Sequence, residues 1–372
     1  MSACCPHGDV SANSRGGPGD GAEPVTDGTV IYGATGYSGR LLVARARELG
    51  MHPVLCGRNE QRLGRLADIH GLDCRVATVD RPESLATAFD GARVVLNAAG
   101  PFSATAKCVV DVCLRLGIHY LDISGEPLVI ERLSRMHADA RERGVMIMPA
   151  VGFDVVPSDC LAAHVKRRLP RARCLRIAVT HPKVLSAGSA KTLAENVALG
   201  LVRQDRTVRK IPLASRARWF DYGDGPRRSV NISLADVITA YFTTGIPDIE
   251  TYLQASRVLA ATLTLCRTAG AVLTEPVWQR SLSSLAASVP DPGVEHASDV
   301  MSVVAEAEDN EGRRVVSRLQ TGEAYGFTAL SAIAITRRVL GGDLETGFQT
   351  PGRVYGADFV LGLPGVSRQD QA

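Results

Sequence analysis

Gly33-Ala34-Thr35-Gly36-Tyr37-Ser38-Gly39 is the stretch on which the fold turns. It follows Thr29–Tyr32, a short β-rich run, and opens a helical pattern in which Leu42, Ala46 and Leu49 share a face before Gly50 ends it. Strand, glycine-rich turn and helix in that order make a cradle for the phosphates of a dinucleotide. Gly33 permits the tight turn, Gly36 lets a pyrophosphate come close, and Gly39 lets the helix pack against the strand. Backbone N–H groups from Thr35 to Ser38 point out of a helix N-terminus, where the dipole favours an anion. The competing reading is a glycine-rich turn with no ligand.

Working outward, the alternation continues. Val54–Cys56, Arg75–Val79, Arg93–Leu96, Ile118–Ile123 and Val145–Met148 read as strands. Between them lie helical patterns at about Glu60–Ile69, from Pro82, around Val109–Leu116, and at about Pro127–Arg143. Six strands alternating with helices predict an α/β fold whose N-terminal domain is a Rossmann-type, doubly wound parallel sheet. After about Leu169 the character changes. Arg173–Thr180, Val208–Leu213, Ala217–Phe220 and Val230–Leu234 read as strands, and Val300–Ala307 with Arg313–Thr321 as a hairpin. Leu253–Ala287 reads as helical, broken near Pro276. This predicts a second, mostly antiparallel α+β domain. The expected division is a disordered tail over 1–27, a dinucleotide-binding domain over 28–169, a substrate domain over 170–327, and a final segment over 328–372. That segment begins with the helix Thr328–Leu340, which returns to the first domain.

Composition narrows the function. The chain has 372 residues, with 42 Lys+Arg against 39 Asp+Glu and a formal net charge of +3. That balance argues against a dedicated nucleic-acid binder. Nine cysteines without any C-x-x-C argue against zinc ribbons and thioredoxin-like redox sites, and they read as reduced thiols of a cytoplasmic protein. Cys4 and Cys5 fall in the polar tail and read as incidental. The longest apolar stretch, Tyr252–Val289, carries Arg257, Arg267, Glu275 and Arg280, so no membrane span is expected.

The glycine spacing is G-x-x-G-x-x-G, a variant that often accompanies NADP. The second strand ends Cys56-Gly57-Arg58-Asn59, with no acid before Glu60 to take a ribose 2′-hydroxyl. Arg58 can instead fork onto a 2′-phosphate, a reading favoured over a solvated arginine. Asp80 could contact the adenine region or cap the next helix. Asn97-Ala98-Ala99-Gly100-Pro101 has small residues that let the backbone pass the nicotinamide ribose. The residues expected to hold the cofactor are therefore Gly33, Thr35, Gly36, Tyr37, Ser38, Gly39, Arg58, Asp80, Asn97, Ala98 and Gly100.

Four further stretches carry a resemblance: Asn97–Phe102 (N-A-A-G-P-F), Tyr120–Glu126 (Y-L-D-I-S-G-E), Gly152–Asp159 (G-F-D-V-V-P-S-D) and Ser186–Thr192 (S-A-G-S-A-K-T). With the glycine turn and the tail Gly347–Pro351 (G-F-Q-T-P), the chain over about 28–366 resembles the saccharopine dehydrogenase-like oxidoreductases. That group includes bacterial trans-acting enoyl reductases. The resemblance implies an NAD(P)-linked reductase, and leaves its substrate open because the family is broad.

Hydride transfer needs a positioned acceptor and usually a proton donor. None of the eight tyrosines has a lysine four residues on, so the Tyr-x-x-x-Lys donor pair is absent. There is no G-x-S-x-G elbow and no H-E-x-x-H, and no metal is expected. What remains lies at the carboxyl ends of strands five and six: Asp122, Glu126 and Asp154. Asp154 and Asp122 are the candidate catalytic residues, with helix capping as the alternative for Asp154 or Asp159. His119 reads as structural, and Lys191 as a contact to cofactor phosphate or substrate or, equally, a solvated side chain. The expectation is an NADPH-preferring oxidoreductase acting on a C=N or activated C=C bond of a small molecule. The alternative is a non-catalytic NAD(P)-binding sensor or scaffold. No nucleic-acid partner is expected, and a homodimer stays open.

Overall fold

The computed structural model describes residues 27–180, 200–256 and 300–371. Its first sheet contains β1 (Thr29–Tyr32), β2 (Val54–Gly57), β3 (Cys74–Val76), β4 (Val94–Asn97), β5 (His119–Asp122) and β6 (Met146–Met148). The helices between them are α1 (Tyr37–Glu48), α2 (Glu60–His70), α3 (Pro82–Phe89), α4 (Phe102–Leu116), α5 (Pro127–Ser134) and α6 (His137–Glu142). Strands β1, β2 and β4 are buried on both faces, which is why their sequences are apolar runs without alternation. Ile31, Leu55, Leu96 and Leu121 face one apolar layer, which holds Leu42, Leu63 and Leu66 from α1 and α2. Val30, Val54, Val95 and Tyr120 face the other, with Leu85, Phe89, Val109 and Ile130. All strand pairings are parallel, and helices cover both faces.

The chain then crosses by α7 (Val156–Arg168), buried along most of its length, to a nine-stranded second sheet. This sheet contains β7 (Cys174–Val179), β8 (Gly200–Gln204), β9 (Thr207–Ile211), β10 (Ala217–Asp221), β11 (Pro226–Asn231), β12 (Asp248–Gln254), β13 (Met301–Glu308) and β14 (Arg314–Thr321). Helix α8 (Asp236–Thr244) lies between β11 and β12 and packs on α7. The pairings are antiparallel except for β12 beside β7. Helix α9 (Ala324–Leu340) packs on α1, β4 and β5. Then β15 (Gly347–Phe348) adds a seventh parallel strand beside β6, α10 (Pro351–Tyr355) packs on α7, and β16 (Ser367–Gln371) closes on β14. The first sheet thus runs β15-β6-β5-β4-β1-β2-β3. Its order reverses between β1 and β4, which opens a crevice at the carboxyl ends of the strands.

The doubly wound sheet and the mostly antiparallel second sheet are as the sequence predicts. Several elements differ. The third strand stops at Val76: the Ala77 amide still donates to the Gly57 carbonyl of β2 (3.0 Å), but the Thr78 amide turns to Ser84 Oγ (3.2 Å). The single helix expected over Pro127–Arg143 is two, since the chain turns at Arg135–Met136 and brings His137 against β15, where its Nδ1 accepts from the Phe348 amide (3.2 Å). Leu253 and Gln254 end strand β12 rather than start a helix; the remainder of that expected helix, from residue 257, lies outside the described residues, as do the tail, Ser186–Thr192 and Lys191. Among the described residues, no helix is long and apolar enough to cross a membrane.

Candidate functional site

The three glycines of the β1–α1 turn are needed for different reasons. Gly33 sits at φ +84°, and a Cβ there would stand 2.6 Å from the Ala99 amide nitrogen. The β1 and β4 turns therefore touch backbone to backbone at the crevice floor. The amides of Gly33 and Ala34 both donate to the Cys56 carbonyl (2.8 and 3.2 Å), which ties the turn to the end of β2. A Cβ on Gly39 would stand 2.3 Å from the Gly33 carbonyl oxygen. Gly36 is unlike both. It is exposed, its backbone is extended (φ −71°), and a Cβ would meet only the Gly33 oxygen at 3.4 Å. Packing inside the protein explains Gly33 and Gly39, whereas among the described residues nothing but the Gly33 oxygen stands beside Gly36.

Electrostatics mark the same place. Helix α1 has no side-chain cap and no acid in its first turn. Helix α4, the neighbour across the crevice, is filled: Glu126 accepts from the Phe102 and Ser103 amides (2.8 and 2.9 Å). Of these two N-termini, α1 is the one with neither a side-chain cap nor a first-turn acid among the described residues. Thr35 is partly exposed, and its carbonyl accepts from Arg40 Nη1 (3.0 Å). Ser38 is partly exposed beside it. Tyr37 turns its ring edge-on to Tyr325 of α9, with centroids 5.1 Å apart. Arg58 is exposed just past β2, and no ion pair or hydrogen bond among the described residues engages its guanidinium. Its neighbour Asn59 caps α2 through the Arg62 amide (2.9 Å).

Asp80 lies in the turn before α3 and accepts from Thr78 Oγ1 (3.3 Å); it does not cap that helix, whose N-cap residue is Arg81. Asn97 is fully buried. Its amide group donates to the Tyr120 hydroxyl (3.2 Å) and its carbonyl accepts from the Ala99 amide (2.9 Å), so it shapes the turn rather than facing the crevice. Ala98 continues the sheet by donating to the Tyr32 carbonyl (2.7 Å), and Gly100 is exposed ahead of a cis Gly100–Pro101 peptide.

The three acids at the ends of β5 and β6 do come together around Ser124-Gly125, in distinct states. Asp122 has no exposure. Its carboxylate takes four donors: the Ser124 amide (2.9 Å), Ser124 Oγ (2.7 Å), the Ala150 amide (2.8 Å) and the Tyr120 hydroxyl (2.7 Å). Three of the four donors meet Oδ1 and one meets Oδ2, so with no exposure its geometry is that of a strut locking β5 to the turn after β6, and the catalytic reading drawn from its position does not fit it. Asp154 is the opposite case. It makes no hydrogen bond among the described residues, and its Oδ2 lies where a Cβ on Gly125 would be 2.4 Å away. It is exposed to solvent, and the protein packed around it raises its carboxyl to about 6 by desolvation. It does not cap α7.

Three further residues contribute: Thr328 and Asp236, which the sequence does not flag, and Asp159, which it offers only as a helix cap and which does not cap α7. Thr328 of α9 holds the β6 turn by accepting from the Phe153 amide (3.0 Å), and its methyl fills the space where a Gly152 side chain would go. Asp159, buried on α7, accepts from Thr243 Oγ1 (2.6 Å) and the Gly352 amide (2.7 Å), joining both sheets; burial raises it to about 6. Asp236 at the start of α8 is fully buried. Ser158 lies near enough to favour its charge in part, but no bond to either carboxylate oxygen meets hydrogen-bond geometry. Burial, with Asp159 and Asp154 adding like charge, raises it to about 8. Helical periodicity flags none of these, because each depends on a partner at least 78 residues away. The described residues contain no cluster of potential metal ligands.

Comparison with known proteins locates the similarity in this same region. Residues 29–148 match the family described as the saccharopine dehydrogenase NADP binding domain. A probable mitochondrial saccharopine dehydrogenase-like oxidoreductase of Arabidopsis thaliana is 34% identical over 154 residues, covering 37% of this chain and 34% of that protein. A trans-acting enoyl reductase of Mycobacterium ulcerans is 33% identical over 147 residues, covering 37% of this chain and 35% of that protein. The match thus spans about a third of the length of these curated relatives. Among solved structures, the apo saccharopine dehydrogenase (L-Glu forming) of Saccharomyces cerevisiae aligns with a TM-score of 0.63 at 10% identity, over 92% of this chain and 99% of that one. At that identity the likeness is one of fold, and it extends through both sheets.

Proposed function

We infer the activity of this chain from its first domain, which is an NADP-binding domain of the saccharopine dehydrogenase family. The protein is a cytoplasmic, NADPH-preferring oxidoreductase that reduces a C=N or activated C=C bond of a small molecule. The residues fit the cofactor: open space beside Gly36, an uncapped α1 N-terminus for the pyrophosphate, and Arg58 for the 2′-phosphate. Bound NADPH supplies the hydride.

The observation that carries a catalytic reading is Asp154, an unengaged carboxyl on the same sheet edge as the glycine turn. When hydride adds to the acceptor carbon, the π pair moves to nitrogen or into a conjugated anion, and a proton must meet it. Protonated Asp154 delivers that proton and is left as carboxylate, to be reprotonated from solvent. Asp122 and Glu126 hold the two strand ends that aim it, and β7–β14 with α8 wall the acceptor side.

The test is NADPH consumption by the full chain against two acceptor panels, cyclic imines and α,β-unsaturated carbonyl compounds. Turnover with members of one panel, absent in Asp154→Asn, is expected. Tight NADPH binding with no turnover on either panel would overturn the enzymatic reading in favour of a nucleotide sensor.

A further inference from the structure

Arg203 is next to last in β8 and only 7% exposed. Its guanidinium lies 4.2 Å from the centre of the Tyr241 ring. Nε donates to the Val237 carbonyl (2.9 Å) and Nη1 to the Arg206 carbonyl (2.6 Å). These bonds fix the fork but bring no negative charge. Of the acids nearby, Asp205 pairs with Arg173 (2.7 Å), while Glu131 lines the same cavity, lends Arg203 part of its negative charge and pairs with Arg135 (3.0 Å). Among the described residues no carboxylate pairs with Arg203. A guanidinium stays charged at any physiological pH, and burying it without an anion is costly. Burial accordingly pulls its pKa down.

Beside it opens a cavity of about 290 Å³ between α5, α8 and the β8–β9 hairpin. The hairpin turns on Asp205 and Arg206, both at positive φ (+48° and +68°), which brings Arg206 to the cavity rim opposite Arg135. Ile238, Phe242 and Val208 give it apolar walls. We propose that this cavity binds a small organic anion. Its carboxylate or phosphate oxygens take the remaining N–H groups of Arg203, and its hydrocarbon part lies against Ile238 and Phe242. The rim arginines add attraction that salt weakens, whereas the inner contact is shielded from it. None of these residues belongs to the dinucleotide crevice, so the site is additional to the one proposed above and does not depend on it.

The test is calorimetric titration of the full chain with butyrate, butyl phosphate and inorganic phosphate, with and without excess NADPH. Saturable binding of butyrate or butyl phosphate, tighter than inorganic phosphate and unchanged by NADPH, is expected, and the better of the two identifies the headgroup. Removing one charge-assisted contact corresponds to about ten-fold or more in affinity, so Arg206→Ala and Arg203→Lys should each weaken binding by at least that factor. Arg206 is exposed, so its variant tests the site even if Arg203→Lys loosens the hairpin. Absence of saturable binding by all three probes, binding that NADPH displaces, or binding undiminished in both variants would overturn the proposal.

Discussion

Replacing Gly36 and Gly39 separately by alanine should split binding from stability. At Gly39 the added Cβ would lie 2.3 Å from the Gly33 oxygen and 2.8 Å from the Ala34 carbonyl group, all backbone. No side chain can swing away, so the turn itself must shift, at a cost of about 1–3 kcal/mol or more. At roughly 2–4 °C per kcal/mol for domains of 150–250 residues, Tm should fall by several degrees. At Gly36 the only neighbour among the described residues is the Gly33 oxygen at 3.4 Å, and the backbone is in a region open to any residue. Alanine there should leave Tm unchanged or raise the stability by about 0.4–1 kcal/mol, because it restricts the unfolded chain. The methyl group, however, occupies the path by which a pyrophosphate reaches the α1 amides. Losing one charge-assisted hydrogen bond, about 1.5–3 kcal/mol, weakens NADPH by roughly 10- to 100-fold. Thermal melts without ligand and fluorescence titration of NADPH measure the two effects. A Gly36→Ala protein with the parent's NADPH affinity, or a Gly39→Ala protein with the parent's Tm, would refute this division of labour.

Three further outcomes are expected. Asp236 holds its proton up to about 8 in the folded state against about 4 when unfolded, so stability should fall as pH rises through that window; Asp236→Asn should flatten the fall, which amounts to several kcal/mol at most, in denaturant titrations at pH 5 and pH 9. Asp154→Asn should lower kcat by about 10²–10⁴-fold with NADPH affinity retained, and wild-type kcat should decline as pH rises through about 6, where the donor loses its proton. Glu126→Ala strips two amides of their acceptor at the start of α4 and should destabilise the protein by about 1–3 kcal/mol, read as a lower midpoint in urea.

Most of the first sheet is legible because β1, β2, β4 and β6 are short apolar runs and most of the helices carry their own periodic face and stop signal; β3 (Cys-Arg-Val, mostly exposed) and the two-residue β15 lack such a run. Gly33, Gly36 and Gly39 were legible for the same reason: their demands are local. The second sheet was harder. The last two residues of β12, Leu253 and Gln254, read as a helix start in the sequence because Leu253 is apolar in either structure, and only its pairing with Val179 of β7 decides between them. Acids at strand ends could be located but not sorted. Asp122 and Asp154 look alike in sequence, yet one meets four donors and the other none among the described residues. That difference comes from the β6 turn folding back over Ser124-Gly125. Thr328 and Asp236 gave no local signal, because their partners lie on α7 and the turn before it.

Arg58 tests the central claim most directly. Its guanidinium, exposed at the end of β2 and engaged by no ion pair or hydrogen bond among the described residues, stands where an NAD enzyme would place a carboxylate. Two parallel hydrogen bonds to a 2′-phosphate should favour NADPH over NADH by about 10- to 100-fold. Dissociation constants for both cofactors, measured on the wild type and on Arg58→Ala, should show that preference in the first and its near loss in the second, with NADH affinity unchanged. Equal affinity for the two cofactors in the wild type, or an equal loss of both in Arg58→Ala, would contradict it.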